Sequence, residues 1–164
     1  MMKRFSAFIP ALLLACTISG CAMFKTPEPG ISENELISMR GKPDFEQEVN
    51  GYRLLEWSGN NTSQYTYMAT ITPDGTMVSY EQVLTLEKFY SLKPDKSTKQ
   101  DVLRTVGHPD PFETDHLALS GDDVWSYRYK ESGVWDSMMH IHFDHNGVVK
   151  RLENGMDPLN LRDN

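Results

Sequence analysis

Hydrophobic positions change period twice along this chain, in the same order each time. Leu36 and Ile37 mark the apolar face of a short helical pattern in ISENELISMR (31 to 40). Apolar and polar residues then alternate through GYRLLEWS (51 to 58), TSQYTYMATI (62 to 71) and TMVSYEQV (76 to 83). The second cycle opens on LTLEKFYSLKPDKST (84 to 98), where Leu84, Phe89, Tyr90 and Leu92 keep helical spacing, and STKQDVLRTV (97 to 106) continues it with Val102 and Leu103. Alternation returns in DDVWSYRYK (122 to 130), VWDSMMHIHF (134 to 143) and VVKRL (148 to 152). Asp74-Gly75 and Asn146-Gly147, pairs suited to tight hairpin turns, separate the last two segments of each cycle.

The two cycles superimpose at an offset of 66 residues through a shared Gly-x-Pro-Asp, Gly41 to Asp44 and Gly107 to Asp110, after which Pro111 is a one-residue insertion before Phe112-Glu113. Ser32 with Glu35 is spaced as a capping box, with Ile31 and Leu36 as a hydrophobic staple across it; Thr98 with Asp101 is a shorter version of the same box. Gly41 and Gly107 stand where a helix ends in the left-handed region, and Pro43 and Pro109 forbid its continuation. Trp57 and Trp125 head the alternating segments and are expected to correspond. The pattern predicts an α+β fold of two tandem units, each a helix or helix-turn-helix followed by a three-stranded antiparallel meander. Residues 31 to 83 form the first unit, which lacks the first helix, and 84 to 154 the second, complete unit. Residues 21 to 30 read as a tether and 155 to 164 as a loose tail.

The first twenty residues change the picture. Lys3 and Arg4 precede an apolar run from Phe5 to Ile18, interrupted by Pro10 and ending in Ser19-Gly20, which is a signal-peptide layout too short for a stable membrane span. Ile18-Ser19-Gly20-Cys21 resembles the bacterial lipobox, which implies cleavage before Cys21 and acylation of its sulfur; Leu13-Leu14-Ala15-Cys16 offers a second match, and an ordinary secretory signal a third reading. Lys3 and Arg4 are the only charged residues in 1 to 20, so removing the signal takes the net charge from −7 to −9. An acidic chain of this kind is a poor nucleic-acid binder, and its hold on the lipid bilayer would come from acyl chains. The lipobox resemblance, with Ala22 after the cysteine, implies an outer-membrane anchor facing the periplasm.

Chemistry-bearing residues are sparse. No Gly-x-Ser-x-Gly or phosphate loop appears, acylation leaves no nucleophilic Cys21, and no pattern calls for a cofactor, so the chain reads as non-catalytic. His140, His142 and Asp144 share one strand face and are candidates for a metal, against the alternative of a polar outer face opening into a turn. Trp125, Tyr127 and Tyr129 share the other kind of face, either core beneath the helices or a binding platform. Trp135, Met138 and Met139 lie around a hairpin loop and are candidates for a partner contact.

LTLEKFYSLKPDKSTKQDVLRTVGHPDPF, then WSYRY and HFDHNGVV, resembles the BamE (SmpA/OmlA) lipoprotein family over residues 84 to 152, and through the internal repeat more distantly over 31 to 83. Asp95 and Val106 depart from the glycine and leucine common in that family. The resemblance implies helices packed on one face of each sheet, and the tandem resembles the β-lactamase inhibitory protein fold, in which two such units form one extended sheet. It also implies a scaffold role among envelope proteins, including the β-barrel assembly complex. The uncovered sheet face would serve as a recognition surface. The alternative is a periplasmic inhibitor-like or ligand-binding protein that uses the same surface.

Overall fold

A computed structural model describes residues 26–59, 63–117 and 120–161, so the expected signal segment and both candidate anchors, Cys16 and Cys21, lie outside the described residues. Helix α1 (Glu33–Arg40) leads into β1 (Phe45–Val49), β2 (Tyr52–Ser58), β3 (Thr66–Ile71) and β4 (Met77–Gln82). Helices α2 (Leu86–Ser91) and α3 (Lys99–Val106), then a 3-10 turn (Pro111–Glu113), precede β5 (Thr114–Leu117), β6 (Asp122–Glu131), β7 (Trp135–Phe143) and β8 (Val149–Met156). The fold is α+β, with two antiparallel sheets ordered β1-β2-β3-β4 and β5-β6-β7-β8.

Each sheet therefore has four strands where three were expected, and the two sheets are separate rather than one extended sheet. The additional strand occupies the same place in both units, between the helix and the meander, at the sheet edge. β1 is held to β2 through a turn at Asn50 and Gly51, both with positive φ (53° and 82°). β5 is exposed along its whole length and pairs only four residues of β6. Neither strand buries an apolar face, so backbone pairing carries them.

The repeat is reproduced in the backbone. Glu33 and Lys99, each first in its helix, donate N–H to the carbonyls of Gly75 and Gly147 in the hairpin turns, and Ser32 and Thr98 form matching bridges to Thr76 and Val148. Both sheets carry an irregularity before the last turn, at Thr70/Ile71 and at His142/Phe143. Counting back from those points, Leu55 opposite Ala69 corresponds to Trp125 opposite Ile141, and Trp57 corresponds to Tyr127. The two tryptophans are thus not equivalent. Trp57 Nε1 and the Tyr127 hydroxyl do the same work, donating to the carbonyls of Gly41 (3.1 Å) and Gly107 (3.0 Å) and tying each helix end to its sheet.

The capping boxes also differ from expectation. Ser32 Oγ accepts from the Glu35 amide in the first unit, whereas the second shows the reciprocal box: Thr98 Oγ1 accepts from Asp101 N–H, and the Asp101 carboxylate accepts from Thr98 N–H at 2.8 Å. The same carboxylate oxygen also accepts from the Thr98 hydroxyl at 2.8 Å.

Helices cover one face of each sheet. Leu36 packs with Leu55, Ala69, Ile71 and Met77, with Ile31 completing the staple. Phe89, Leu92, Val102 and Val106 pack on Tyr127, Tyr129, Met139, Ile141 and Phe143, so the aromatic face of β6 is core. The last residues are less loose than expected: Gly155 and Met156 extend β8, and buried Asp157 pairs with Arg128, whose guanidinium needs a counter-charge where it is buried. At the other end Gly30 N–H donates to Met77 O and Pro27 is buried, so the tether is tied to the sheet before α1 begins.

Candidate functional site

The two units meet where α3 ends. Gly107 takes a positive φ of 84°, and the chain then lays His108 against β1 and β2 of the first unit. Glu56 lies on the sheet face away from α1, a position that strand alternation gives to solvent, yet it is only 1 % exposed. Its carboxylate accepts from the His108 backbone N–H and faces His108 Nδ1, both at 2.8 Å. Burial raises the Glu56 carboxyl above its ordinary value, and the hydrogen bonds to His108 partly offset that rise. The His108 ring stacks on Phe45 with centroids 3.7 Å apart and planes 13° apart. Gln47 adds hydrogen bonds to Leu103 O and to Gln100. This joint was not foreseen in the sequence, because Glu56 is buried by the other unit and not by its own.

Beside the joint the units diverge and leave a cleft of about 410 Å³, within the range of roughly 300–1,000 Å³ usual for ligand sites. The Phe45–His108 stack forms one wall. Ser126, Tyr127 and Arg128 of β6 line the cleft, Tyr65 and Thr66 come from the first unit, and Asp44, Asp110, Phe112 and Glu113 also line it. Phe112, on the 3-10 turn, is 82 % exposed, with Tyr65 and Phe45 also exposed. Arg128 is held by Glu113 (2.6 Å) and by Asp157; burial alone would lower its pKa, and these two carboxylates more than compensate. Its Nε has no hydrogen-bond partner among the described residues.

The face of the second sheet opposite its helices is not the open platform expected. Val124, Ser126, Arg128, Met138 and His142 on it are all buried. Ser126 Oγ and His140 Nδ1 satisfy each other across the strand pair at 2.8 Å, and His142 Nε2 lies 3.0 Å from the Glu153 carboxylate. Burial, then the neighbouring His142, lowers the His140 imidazole. His140 and His142 share a face as expected but turn to different partners. Asp144 spends its carboxylate on the turn amides of Asn146 and Val148. Among the described residues no group of three or more side chains could hold a metal ion.

Of the three contact candidates, Trp135 is 71 % exposed at the β6–β7 hairpin, next to exposed Val134, while Met138 and Met139 are 3 % and 0 % exposed. The strand continues through both methionines, so one fills the core and the other the opposite buried face; Trp135 alone offers a surface. Among the described residues no helix is long and apolar enough to cross a membrane.

No family model, curated protein or solved structure matches this chain.

Proposed function

We propose that this protein is a periplasm-facing lipoprotein, anchored in the outer membrane through acylated Cys21, that acts without catalysis by binding other envelope proteins. The observation that carries this reading is the concentration of exposed aromatic side chains, Phe112, Tyr65 and Phe45, around the mouth of the inter-unit cleft. Phe112 contributes little to its own fold at 82 % exposure, and exposed aromatics grouped at a concavity mark contact sites. The lipobox at Cys21 supports the anchor. The motif resemblance over residues 84 to 152 supports a setting in outer-membrane protein assembly.

In-cell crosslinking of the full-length protein, purification from detergent-solubilised outer membranes and identification of co-purifying proteins tests the proposal, with Cys21→Ala as the unanchored control. Barrel-assembly or other envelope subunits recovered only with the anchored form are the expected result. A soluble periplasmic enzyme recovered equally with either form would instead favour an inhibitor-like protein, for which the cleft provides a ready concavity.

A further inference from the structure

The two repeats differ at one place that bears on the cleft. In the first unit β1 pairs residues 52 to 56 of β2, and Asp44 completes that edge: its N–H donates to Glu56 O and its carboxylate accepts from Ser58 N–H at 2.9 Å. By the register derived above, Glu56 and Ser58 correspond to Ser126 and Arg128, and Asp44 to Asp110. The inserted Pro111 breaks the correspondence. Asp110 now caps the 3-10 turn, accepting from Phe112 N–H at 2.8 Å, and β5 pairs only residues 122 to 125 of a β6 that runs on to Glu131. Among the described residues nothing pairs with the backbone of Ser126 or Arg128 on that side. Both residues line the cleft. The cleft thus runs along an unpaired strand edge, and such an edge is a template for another strand.

The surroundings select the kind of strand. Arg128 faces two carboxylates, Glu113 and Asp157, and Asp44 and Asp110 add two more, so the cleft is net negative, while Phe112 and Tyr65 offer apolar surface at its mouth. We infer that the cleft takes an extended, basic segment of a partner protein, which adds as a strand along residues 126 to 130 of β6 with alternate apolar side chains resting on Phe112 and Tyr65. The inference rests on the protein-binding reading above and specifies where and how the partner is held.

The test uses full-length protein in detergent and a blocked six-residue peptide alternating lysine with valine or phenylalanine. Strand addition uses the amides of every second residue. Of two peptides N-methylated on alternate amides in opposite phase, one should therefore bind like the parent and the other at least tenfold more weakly. The bound parent should slow amide exchange at 126 to 130 by about tenfold or more, and replacing its lysines by glutamates should abolish binding. Phe112→Ser, at a side chain too exposed to matter for folding, should weaken binding about tenfold. Equal binding by both methylated peptides, protection at another edge such as β8, or no binding at millimolar peptide would overturn the inference. In cells, a partner still recovered with Phe112→Ser and with Ser126→Pro would leave the protein-binding reading standing and remove the cleft as its seat. No partner recovered with the unaltered protein would sink the reading itself.

Discussion

Gly41 and Gly107 end their helices with nearly the same positive φ, 82° and 84°, but only one of them carries the joint between units. A Cβ at Gly41 would meet nothing within 4 Å, whereas at Gly107 it would stand 2.8 Å from a Glu56 carboxylate oxygen and 3.0 Å from Thr66 Cγ2. Gly41→Ala should cost only the backbone term of an extended, positive-φ conformation (φ 82°, ψ −178°) that is nearly reserved for glycine, roughly 1–3 kcal/mol. Gly107→Ala should cost clearly more in urea unfolding, the excess measuring how tightly α3 sits on the first unit; equal costs would mean the joint contributes nothing. Glu56 makes the same contact sensitive to pH. Its carboxyl is raised in the folded state by burial above an ordinary value of 4.5. Between that value and the higher folded one, the folded protein holds a proton the unfolded chain lacks. Stability from this group is thus full below the ordinary value and falls as pH rises through the window. Glu56→Gln has no such fall, so the Tm difference, unaltered protein minus Glu56→Gln, should decline as pH rises from 4 through the window. Parallel curves would contradict a buried, proton-retaining Glu56.

At the scale of elements, the helix ends carry unequal caps. Thr98 gives and receives in a reciprocal box, while Ser32 is seen in one half of one. Thr98→Ala should therefore cost at the upper part of the usual ~0.5–2 kcal/mol for a lost N-cap, and Ser32→Ala nearer the lower part; thermal unfolding of the two variants decides it. The helices, their terminal glycines and both Asp-Gly and Asn-Gly turns were legible in the sequence, because each depends on residues within a few positions of one another. The edge strands β1 and β5 lie outside the predicted meanders. Phe45–Val49 alternates weakly and is mostly polar, yet Asn50-Gly51 right after it is a hairpin signal of the same strength as Asp74-Gly75 and Asn146-Gly147. β5 has no such alternation and only Ser120-Gly121 beyond it. Aligning Trp57 with Trp125 fails because Trp125 holds the place of Leu55, two residues earlier in its strand than Trp57, and a two-residue slip keeps the side-chain face and so stays hidden in the pattern.

Over the whole molecule, an α+β chain that passes twice from helix to antiparallel strands is legible from period and motif alone, and what lies between the two sheets is not. Glu56 is a polar strand residue by pattern and becomes buried only because His108 and Gly107 of the other unit land on it. The cleft exists for the same reason, and its unpaired floor arises where the second copy departs from the first at Pro111. On the function proposed above, this protein holds an envelope protein at the inter-unit cleft while anchored at Cys21. The most direct measurement places a photoreactive residue at Phe112 of the full-length protein in intact cells, with exposed Glu87 on α2 as the control position. An adduct to an envelope protein formed from position 112, absent from position 87 and lost with Cys21→Ala, is the predicted result. Absence of any adduct at 112, the same adduct from both positions, or one formed without the anchor would contradict it.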